Sequence, residues 1–194
     1  MSYTLAQLQQ LDAAIADRVG WDFTRMKTAR APTPWDYEQL MGRLIQRGDR
    51  VLDLGTGGGE LILRNAGLFK EAVAIDSAPS MIDQASHNLV QSGANNVSFI
   101  RMDSRALDFD DGSFDVVANR HSTFEPAEVA RVLKSAGYFV TQQVGHLNAA
   151  SLLGCFSWSD SVPDDWLIPL RDRASQFEAS GMSIVGLAEY EVDW

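Results

Sequence analysis

The sequence predicts a doubly wound α/β fold, a mainly parallel sheet with helices on both faces. From residue 50 onwards, short apolar segments typical of strands alternate with segments of helical periodicity. Such alternation implies right-handed crossovers between parallel strands. Three consecutive strands also end in an aspartate, at Asp53, Asp76 and Asp103. Because the carboxyl ends of parallel strands meet at one sheet edge, the three carboxylates are expected at one ligand site.

Residues 1–47 are interpreted as a helical extension that precedes the sheet. Leucines recur at helical spacing near the start of the chain and predict an amphipathic helix over residues 4–17. A loop with two prolines follows. A second helix is predicted over residues 36–47, with Gly48 as its C-cap.

The alternating elements come next. Strands are predicted over residues 50–54, 72–76, 97–102, 114–118 and 137–144. Helices are predicted over residues 59–67, 79–92 and 125–133, the second of which is ended by the Gly/Asn-rich sequence SGANN.

The C-terminal segment is predicted as a helix over residues 164–179 and a single final strand over residues 182–193. In that strand Tyr190, Val192 and Trp194 alternate with acidic residues, which would leave one face apolar. An unpaired edge strand invites pairing with another chain. We therefore expect either a homodimer formed through this edge or a continuation of the chain.

The loop after the first strand has the pattern D-x-G-x-G-x-G, from Asp53 to Gly59. Its glycines allow a ligand to approach the backbone closely. A dinucleotide fingerprint starting at Gly55 would need a small residue at position 60, which is Glu60. A pyrophosphate would also meet Asp53 and Glu60 beside a helix N-terminus, which favours anions. The loop therefore disfavours a phosphate-containing ligand such as NAD.

The three aspartates suit a cationic ligand with several hydrogen-bond donors. S-adenosylmethionine has a sulfonium, an ammonium and ribose hydroxyls, and it has no phosphate. Asp53 would lie beneath its methionine end, Asp76 would accept from both ribose hydroxyls, and Asp103 would accept from the adenine amino group. The side chains placed to pack around ribose and base are Ser77, Met81 and Met102.

Residues 48–145 resemble class I S-adenosylmethionine-dependent methyltransferases. VLDLGTGGGE is similar to the first motif of that family, AIDSAPSMI to the second, and RMDSRALDFDDGSFDVV to the third with the strand after it. EVARVLKSAGYFVTQQVG resembles the next helix and strand. The resemblance implies S-adenosylmethionine as cofactor, methyltransferase activity, and a Rossmann-like domain over residues 48–194. The cofactor-binding residues that it implies are Asp53, Gly55, Thr56, Gly57, Asp76, Ser77, Met81, Met102, Asp103, Ser104 and Asn119.

Two departures from the family pattern stand out. Ser135-Ala136-Gly137 stands where many relatives have Pro-Gly-Gly before the fifth strand. The family's sheet ordinarily ends in a hairpin of two strands, whereas only one strand is predicted after the last helix here. The C-terminal hairpin is therefore expected to be incomplete.

The methyl acceptor is expected above the end of the fourth strand, beneath a lid formed by residues 1–47. The residues expected to contact it are Trp21, Phe23, Trp35 and Arg120. His121 is the candidate general base, because imidazole titrates near neutral pH; packing or helix capping is its alternative role. Since the sulfonium already activates the methyl group, catalysis mainly requires alignment and exclusion of water.

Other catalytic and metal sites find little support in the sequence. The Tyr-x-x-x-Lys pair of short-chain reductases is absent. The three histidines are far apart and, with Cys155 as the single cysteine, offer no metal-ligand spacing. A lone cysteine is more often a packing residue than a nucleophile. Asn119-Arg120-His121-Ser122 replaces the N/D-P-P-Y signature of amino-methylating enzymes.

The charge distribution bears on partners. Residues 1–50 contain seven Lys/Arg and six Asp/Glu, whereas the rest of the chain contains nine and twenty. Nucleic-acid binders usually present a basic patch, so an RNA substrate is disfavoured. No apolar segment is long enough to span a membrane, and the polar start is unlike a secretory signal, so a cytoplasmic protein is expected. A small-molecule methyltransferase is the first hypothesis; a non-catalytic S-adenosylmethionine-binding module and an RNA or protein methyltransferase are the alternatives.

Overall fold

The structure is a computed structural model that describes residue 10, residues 33–145 and residues 168–190. Several predictions concern residues outside these ranges. They are the helix over residues 4–17 apart from the helical residue 10, the lid residues Trp21 and Phe23, Cys155, the start of the helix over residues 164–179, and Val192 and Trp194 of the final strand.

The core of the described chain is a five-stranded sheet in which every paired neighbour is parallel. The strands are β1 (Arg50–Leu54), β2 (Glu71–Asp76), β3 (Val97–Arg101), β4 (Phe114–Arg120) and β5 (Leu133–Gln142). Their order in the sheet is β3-β2-β1-β4-β5, so the chain reverses its direction of progress between β1 and β4. The predicted doubly wound fold is confirmed, and a ligand is expected at this reversal, outside the carboxyl ends of the strands.

Five α-helices accompany the sheet in the described ranges. They are α1 (Tyr37–Leu44), α2 (Glu60–Arg64), α3 (Pro79–Ser92), α4 (Pro126–Val132) and α5 (Leu170–Ala179), with a 3-10 turn at Ala66–Leu68 after α2. Asp36 caps α1 by accepting a hydrogen bond from the Gln39 N–H at 3.1 Å. Ile45 is extended and 7% exposed, so α1 ends earlier than predicted, where the chain turns to bury Ile45.

The two faces of the sheet carry two separate apolar clusters. Successive strand residues point to opposite faces, so Val51 joins one cluster and Leu52 the other. Tyr37 and Met41 of α1 pack into the cluster around Val51. Phe177 of α5 packs against the other face. Burial on both faces explains the near-continuous apolar strands of the sequence.

The start of β5 differs from the expected turn. Leu133 pairs with Phe114 and Tyr138 with Val116, so the intervening residues of β5 bulge out of register. Within the bulge Ala136 has a φ of 66°, a left-handed conformation that glycine adopts more easily. The position where relatives have a glycine therefore retains the backbone conformation that favours glycine.

The prediction of a final strand is wrong over residues 182–190, which contain no strand and pair with none of the five strands. Instead, the Tyr190 ring meets the Trp35 ring edge-on at a centroid distance of 6.1 Å. Period-two alternation was misleading here, because Tyr190 contacts the segment before α1 rather than a sheet. A homodimer through a final strand loses its structural basis in the described part of this segment.

Candidate cofactor and acceptor sites

The glycine loop has the backbone geometry that its sequence predicts. Gly55, Gly57 and Gly59 have φ values of 72°, 58° and 77°. The N–H groups of Gly55 and Thr56 both donate to the Ile75 carbonyl at 2.9 Å. The loop is therefore folded back onto the end of β2, where Gly55 and Thr56 are half-buried and Gly57 to Gly59 are buried.

Asp76, at the end of β2, forms hydrogen bonds to the glycine loop and to the residue that precedes α3. One carboxylate oxygen accepts from the Gly57 N–H at 3.0 Å, and the other accepts from the Ala78 N–H at 2.9 Å. A carboxylate has about four lone-pair sites, so each oxygen can still accept a ligand hydroxyl. Asp76 thus shapes the glycine loop and retains acceptors for a ribose.

Asp53 is buried beneath the loop, with 7% of its surface exposed. Burial raises the pKa of the Asp53 carboxyl from 3.8 to about 6, an effect that the Thr56 hydroxyl opposes and the Asp76 carboxylate reinforces. Above that pKa, Asp53 is a buried anion whose charge a cationic ligand would offset.

Asp103, just after β3, is already paired. The Arg105 guanidinium donates to both of its oxygens, at 3.1 Å and 2.9 Å, and the Arg105 N–H donates at 2.9 Å. These bonds, led by the guanidinium, hold the pKa of Asp103 below its usual range. Arg105 was missed in the sequence, although its position two residues after an aspartate is a typical turn spacing.

Asn119, near the end of β4, is fully buried, and both its amide nitrogen and its amide oxygen form hydrogen bonds. Its amide donates to the Leu54 carbonyl at 3.0 Å, and its oxygen accepts from Thr141 at 3.1 Å and from Gln143. It therefore ties the carboxyl ends of β1, β4 and β5 together.

A small cavity of about 110 Å³ opens among these groups. Its walls are formed by Gly55, Asp76, Ser77, Met102, Asp103, Ser104, Arg105, Ser122 and Thr123. Six of the predicted cofactor residues are thus brought together. The other five, Asp53, Thr56, Gly57, Met81 and Asn119, are not part of this wall.

The segment after β4 limits the size of this cavity. A Cβ placed on Gly55 would lie 2.1 Å from the Ser122 hydroxyl, so Ser122 rests directly on the loop. Binding pockets for small molecules usually measure about 300–1,000 Å³. The cavity is therefore smaller than a whole S-adenosylmethionine would need, and its donors and acceptors suit an adenosine.

A second, larger cavity of about 600 Å³ lies at the ends of β4 and β5, against the start of α1. Its walls are formed by Thr33, Pro34, Trp35, Asp36, Tyr37, Glu38, Gln39, Arg120 and Gln142. Two of the predicted acceptor residues, Trp35 and Arg120, are therefore found together. Tyr37 and Gln142 were missed, because the sequence marked Tyr37 only as an apolar helix residue.

His121 lies between the two cavities in the chain, since Arg120 lines one and Ser122 lines the other. Its φ of 55° is unusual for a residue with a side chain, and its N–H donates to the Gln142 carbonyl at 2.9 Å. Left-handed backbone at non-glycine residues is found preferentially at functional sites. His121 itself is absent from both described walls.

Comparison with known proteins agrees with this geometry. Residues 51–140 match a family model described as methyltransferase domain. They include β1, the glycine loop and the strand ends that bear Asp76, Asp103 and Asn119. The predicted methyltransferase fold is therefore confirmed over these 90 of the chain's 194 residues.

Individual relatives differ in what they methylate. The chain is 34% identical over 98 residues to an uncharacterized methyltransferase, YcgJ, of Bacillus subtilis. The alignment covers 47% of this chain and 39% of YcgJ. The crystal structure of YcgJ superposes with a TM-score of 0.62 at 26% identity, covering 74% of this chain and 67% of that one. Similarity also extends to the ribosomal protein L11 methyltransferase of Bacillus subtilis, at 30% identity over 66% of this chain and 40% of the relative. A ubiquinone biosynthesis O-methyltransferase of Xanthomonas axonopodis pv. citri is 36% identical over 54% of this chain and 44% of the relative.

Each curated relative is much longer than the region that it shares with this chain. The chain spans about two fifths of the length of the curated relatives it matches. Within the ranges that the structure describes, no helix is long and apolar enough to cross a membrane.

Proposed function

We propose that the chain is an S-adenosylmethionine-dependent methyltransferase that acts on a small molecule. The observation that carries the proposal is the pair of neighbouring cavities at the carboxyl edge of the sheet. One is lined by Asp76 and Asp103, which suit an adenosine, and the other by Trp35 and Arg120. The cofactor would supply an activated methyl group, and the chain would hold the acceptor in line with it.

Each part of the site has a separate task in this proposal. Asp76 accepts from the ribose hydroxyls while holding the glycine loop, and the buried Asp53 offsets the positive charge at the methionine end. Met81 and Thr56 support the cofactor from outside the cavity wall. His121, which lies between Arg120 and Ser122 in the chain, accepts the acceptor's proton. The segment before α1, with Trp21 and Phe23, would cover the acceptor and exclude water.

Two alternatives remain in view. A protein acceptor is represented among the relatives by the L11 methyltransferase. The larger cavity, of about 600 Å³, has the size of a small-molecule site, and the acidic body of the chain disfavours RNA. A non-catalytic module would bind the cofactor without turnover.

Calorimetry with the full chain tests the cofactor assignment. S-adenosylhomocysteine should bind, and Asp76→Asn should weaken its binding about tenfold or more, since a hydrogen bond to a charged group contributes about 1.5–3 kcal/mol. Asn keeps one acceptor for the loop, so the variant should fold. Asp83→Asn, on α3 and outside the cavity wall, is the matched control. Unchanged affinity in folded Asp76→Asn would reject the ribose contact.

Turnover separates the enzyme from the binding module. Release of S-adenosylhomocysteine should be measured against a panel of small oxygen and nitrogen acceptors and against ribosomal protein. Turnover with a small molecule supports the proposal. Tight cofactor binding without any turnover favours the module, and turnover with protein alone favours a protein methyltransferase.

A further inference from the structure

The larger cavity, whose lining includes Trp35, Tyr37, Arg120 and Gln142, has the size of a small-molecule pocket. Its volume of about 600 Å³ lies within the range of roughly 300–1,000 Å³ for such pockets. Trp35 supplies an apolar surface, and its ring is held by an edge-on contact with Tyr190. The chemistry of a ligand here is set by the charged groups of the wall.

Arg120 is held in a fixed orientation in this wall. Its Nε donates to the Gln142 side-chain oxygen at 3.0 Å, and the two residues are register partners on β4 and β5. Its guanidinium carbon lies 5.7 Å from the centre of the Tyr37 ring. Within the described ranges, the two Nη groups of Arg120 donate to no protein acceptor and form no ion pair. Arg120 lines the cavity, and the outer edge of its planar, permanently charged fork is without a partner among the described residues.

The carboxylates of the same wall are already engaged elsewhere. Asp36 accepts from the Gln39 N–H at 3.1 Å as the cap of α1. Glu38 accepts from the Arg64 guanidinium at 3.1 Å and from the Asn65 amide at 2.7 Å. Neither carboxylate pairs with Arg120. Arg120 is the single cation among the residues that line the cavity, and it has no anionic partner in the described chain.

Tyr37 does not supply a competing negative charge. Its ring is 5% exposed, and its hydroxyl donates to the Val140 carbonyl at 3.3 Å. Burial, and after it the Asp53 carboxylate, raise the pKa of Tyr37 well above its usual range. The phenol is therefore neutral at physiological pH and serves as a platform for the guanidinium.

We propose that the methyl acceptor bears a carboxylate, and that Arg120 binds this carboxylate through its two Nη groups. A guanidinium edge and a carboxylate match in geometry, which gives two parallel charge-assisted hydrogen bonds. Trp35 packs against the apolar body of the same acceptor. The carboxylate serves as an anchor, and the atom that receives the methyl group lies on the side of Ser122 and the cofactor cavity. This inference rests on the proposed function, because it defines the substrate class of that site.

Paired ligands test the anchor directly in the full chain. Benzoate, phenylacetate and hexanoate are titrated by calorimetry beside the corresponding amides and amines, with and without saturating S-adenosylhomocysteine. At least one acid should bind about tenfold or more tightly than its amide, as expected for a charge-assisted pair. Arg120→Gln should abolish this preference, and Arg120→Lys should retain part of it. Arg43→Gln removes the same charge from an exposed position on α1 outside the cavity wall and should change nothing.

The outcomes separate the anchor from the function. Acids that bind no better than amides in the wild-type chain overturn the inference, as does an acid preference that survives in folded Arg120→Gln. Turnover with neutral acceptors alone would also overturn it and would leave the methyltransferase intact. Conversely, acid binding that depends on Arg120 in a chain that fails to bind S-adenosylhomocysteine would reject the proposed function and retain the anion site. Thermal unfolding and S-adenosylhomocysteine affinity of each variant establish that it is folded.

Discussion

Replacing Asp53 by asparagine should stabilise the ligand-free protein at neutral pH, although Asp53 is proposed to assist cofactor binding. Asp53 is 7% exposed, and its pKa is raised from 3.8 to about 6, chiefly by burial. A carboxyl whose pKa is raised on folding is protonated more readily in the folded than in the unfolded chain. Its ionised form therefore reduces stability, and asparagine has no ionised form.

The pH range of the effect follows from the two pKa values. Below about pH 4 the carboxyl is protonated in both the folded and the unfolded chain, so its charge costs nothing. Between about pH 4 and about pH 6 the unfolded chain releases the proton first, and the wild type progressively loses stability. Above about pH 6 the loss is complete and constant. At about 1.36 kcal/mol per pKa unit, the shift corresponds to about 3 kcal/mol.

Urea denaturation of both proteins between about pH 4 and about pH 8 measures this difference. Asp53→Asn should be about 3 kcal/mol more stable above the pKa and no more stable in acid. Asp115→Asn is a control of opposite sign. Partial burial alone would raise the pKa of Asp115, but the Arg50 N–H and the Lys134 ammonium hold it below its usual value. That variant should lose stability at neutral pH and match the wild type in acid.

Two results would refute the reasoning about Asp53. An equal gain in stability at every pH would mean that asparagine improves packing rather than removing a buried charge. An absent gain at about pH 8 would mean that Asp53 is solvated in the folded chain. The same variant should bind S-adenosylhomocysteine more weakly, which would connect the cost of the buried anion to its proposed function.

The remaining predictions concern backbone conformation and catalysis. Ala136→Gly should stabilise the chain by about 1 kcal/mol. The left-handed conformation costs an alanine about 1–2 kcal/mol, and the larger entropy that a glycine loses on folding reduces the gain. Ala127→Gly, in α4, should destabilise the chain in the same denaturation assay. Gly55→Ala should lower the free energy of unfolding by more than the cost of the left-handed conformation, because the new Cβ overlaps Ser122. The excess should disappear when Ser122 is also replaced by glycine. An equal loss with and without Ser122→Gly would contradict the contact. His121→Ala should lower turnover about 10²-fold without weakening cofactor binding, whereas His87→Ala, on α3, should not; unchanged turnover would remove His121 from the proposed site.

The fold and the placement of the small cavity could be predicted from the sequence because they depend on local patterns. Apolar strands that end in Asp53, Asp76 and Asp103 are short-range signals, and parallel topology brings their ends to one edge. The glycines at positions 55 and 57 predict a left-handed backbone conformation, which few other residues adopt. The described helices and strands therefore lie near their predicted positions, with β1 and α3 matching them to the residue.

The tertiary structure alone decided what these groups do to one another. Ser122 lies over Gly55, and Tyr190 contacts Trp35 instead of pairing in the predicted strand. Each of these contacts joins segments whose relative placement depends on the packing of the whole sheet or on side-chain geometry, and neither leaves a periodic trace in the sequence. The sequence by itself determined the fold class and the class of cofactor. The placement of Arg120 over the Tyr37 ring, on which the proposed carboxylate anchor rests, exists only because α1 packs beside the ends of β4 and β5.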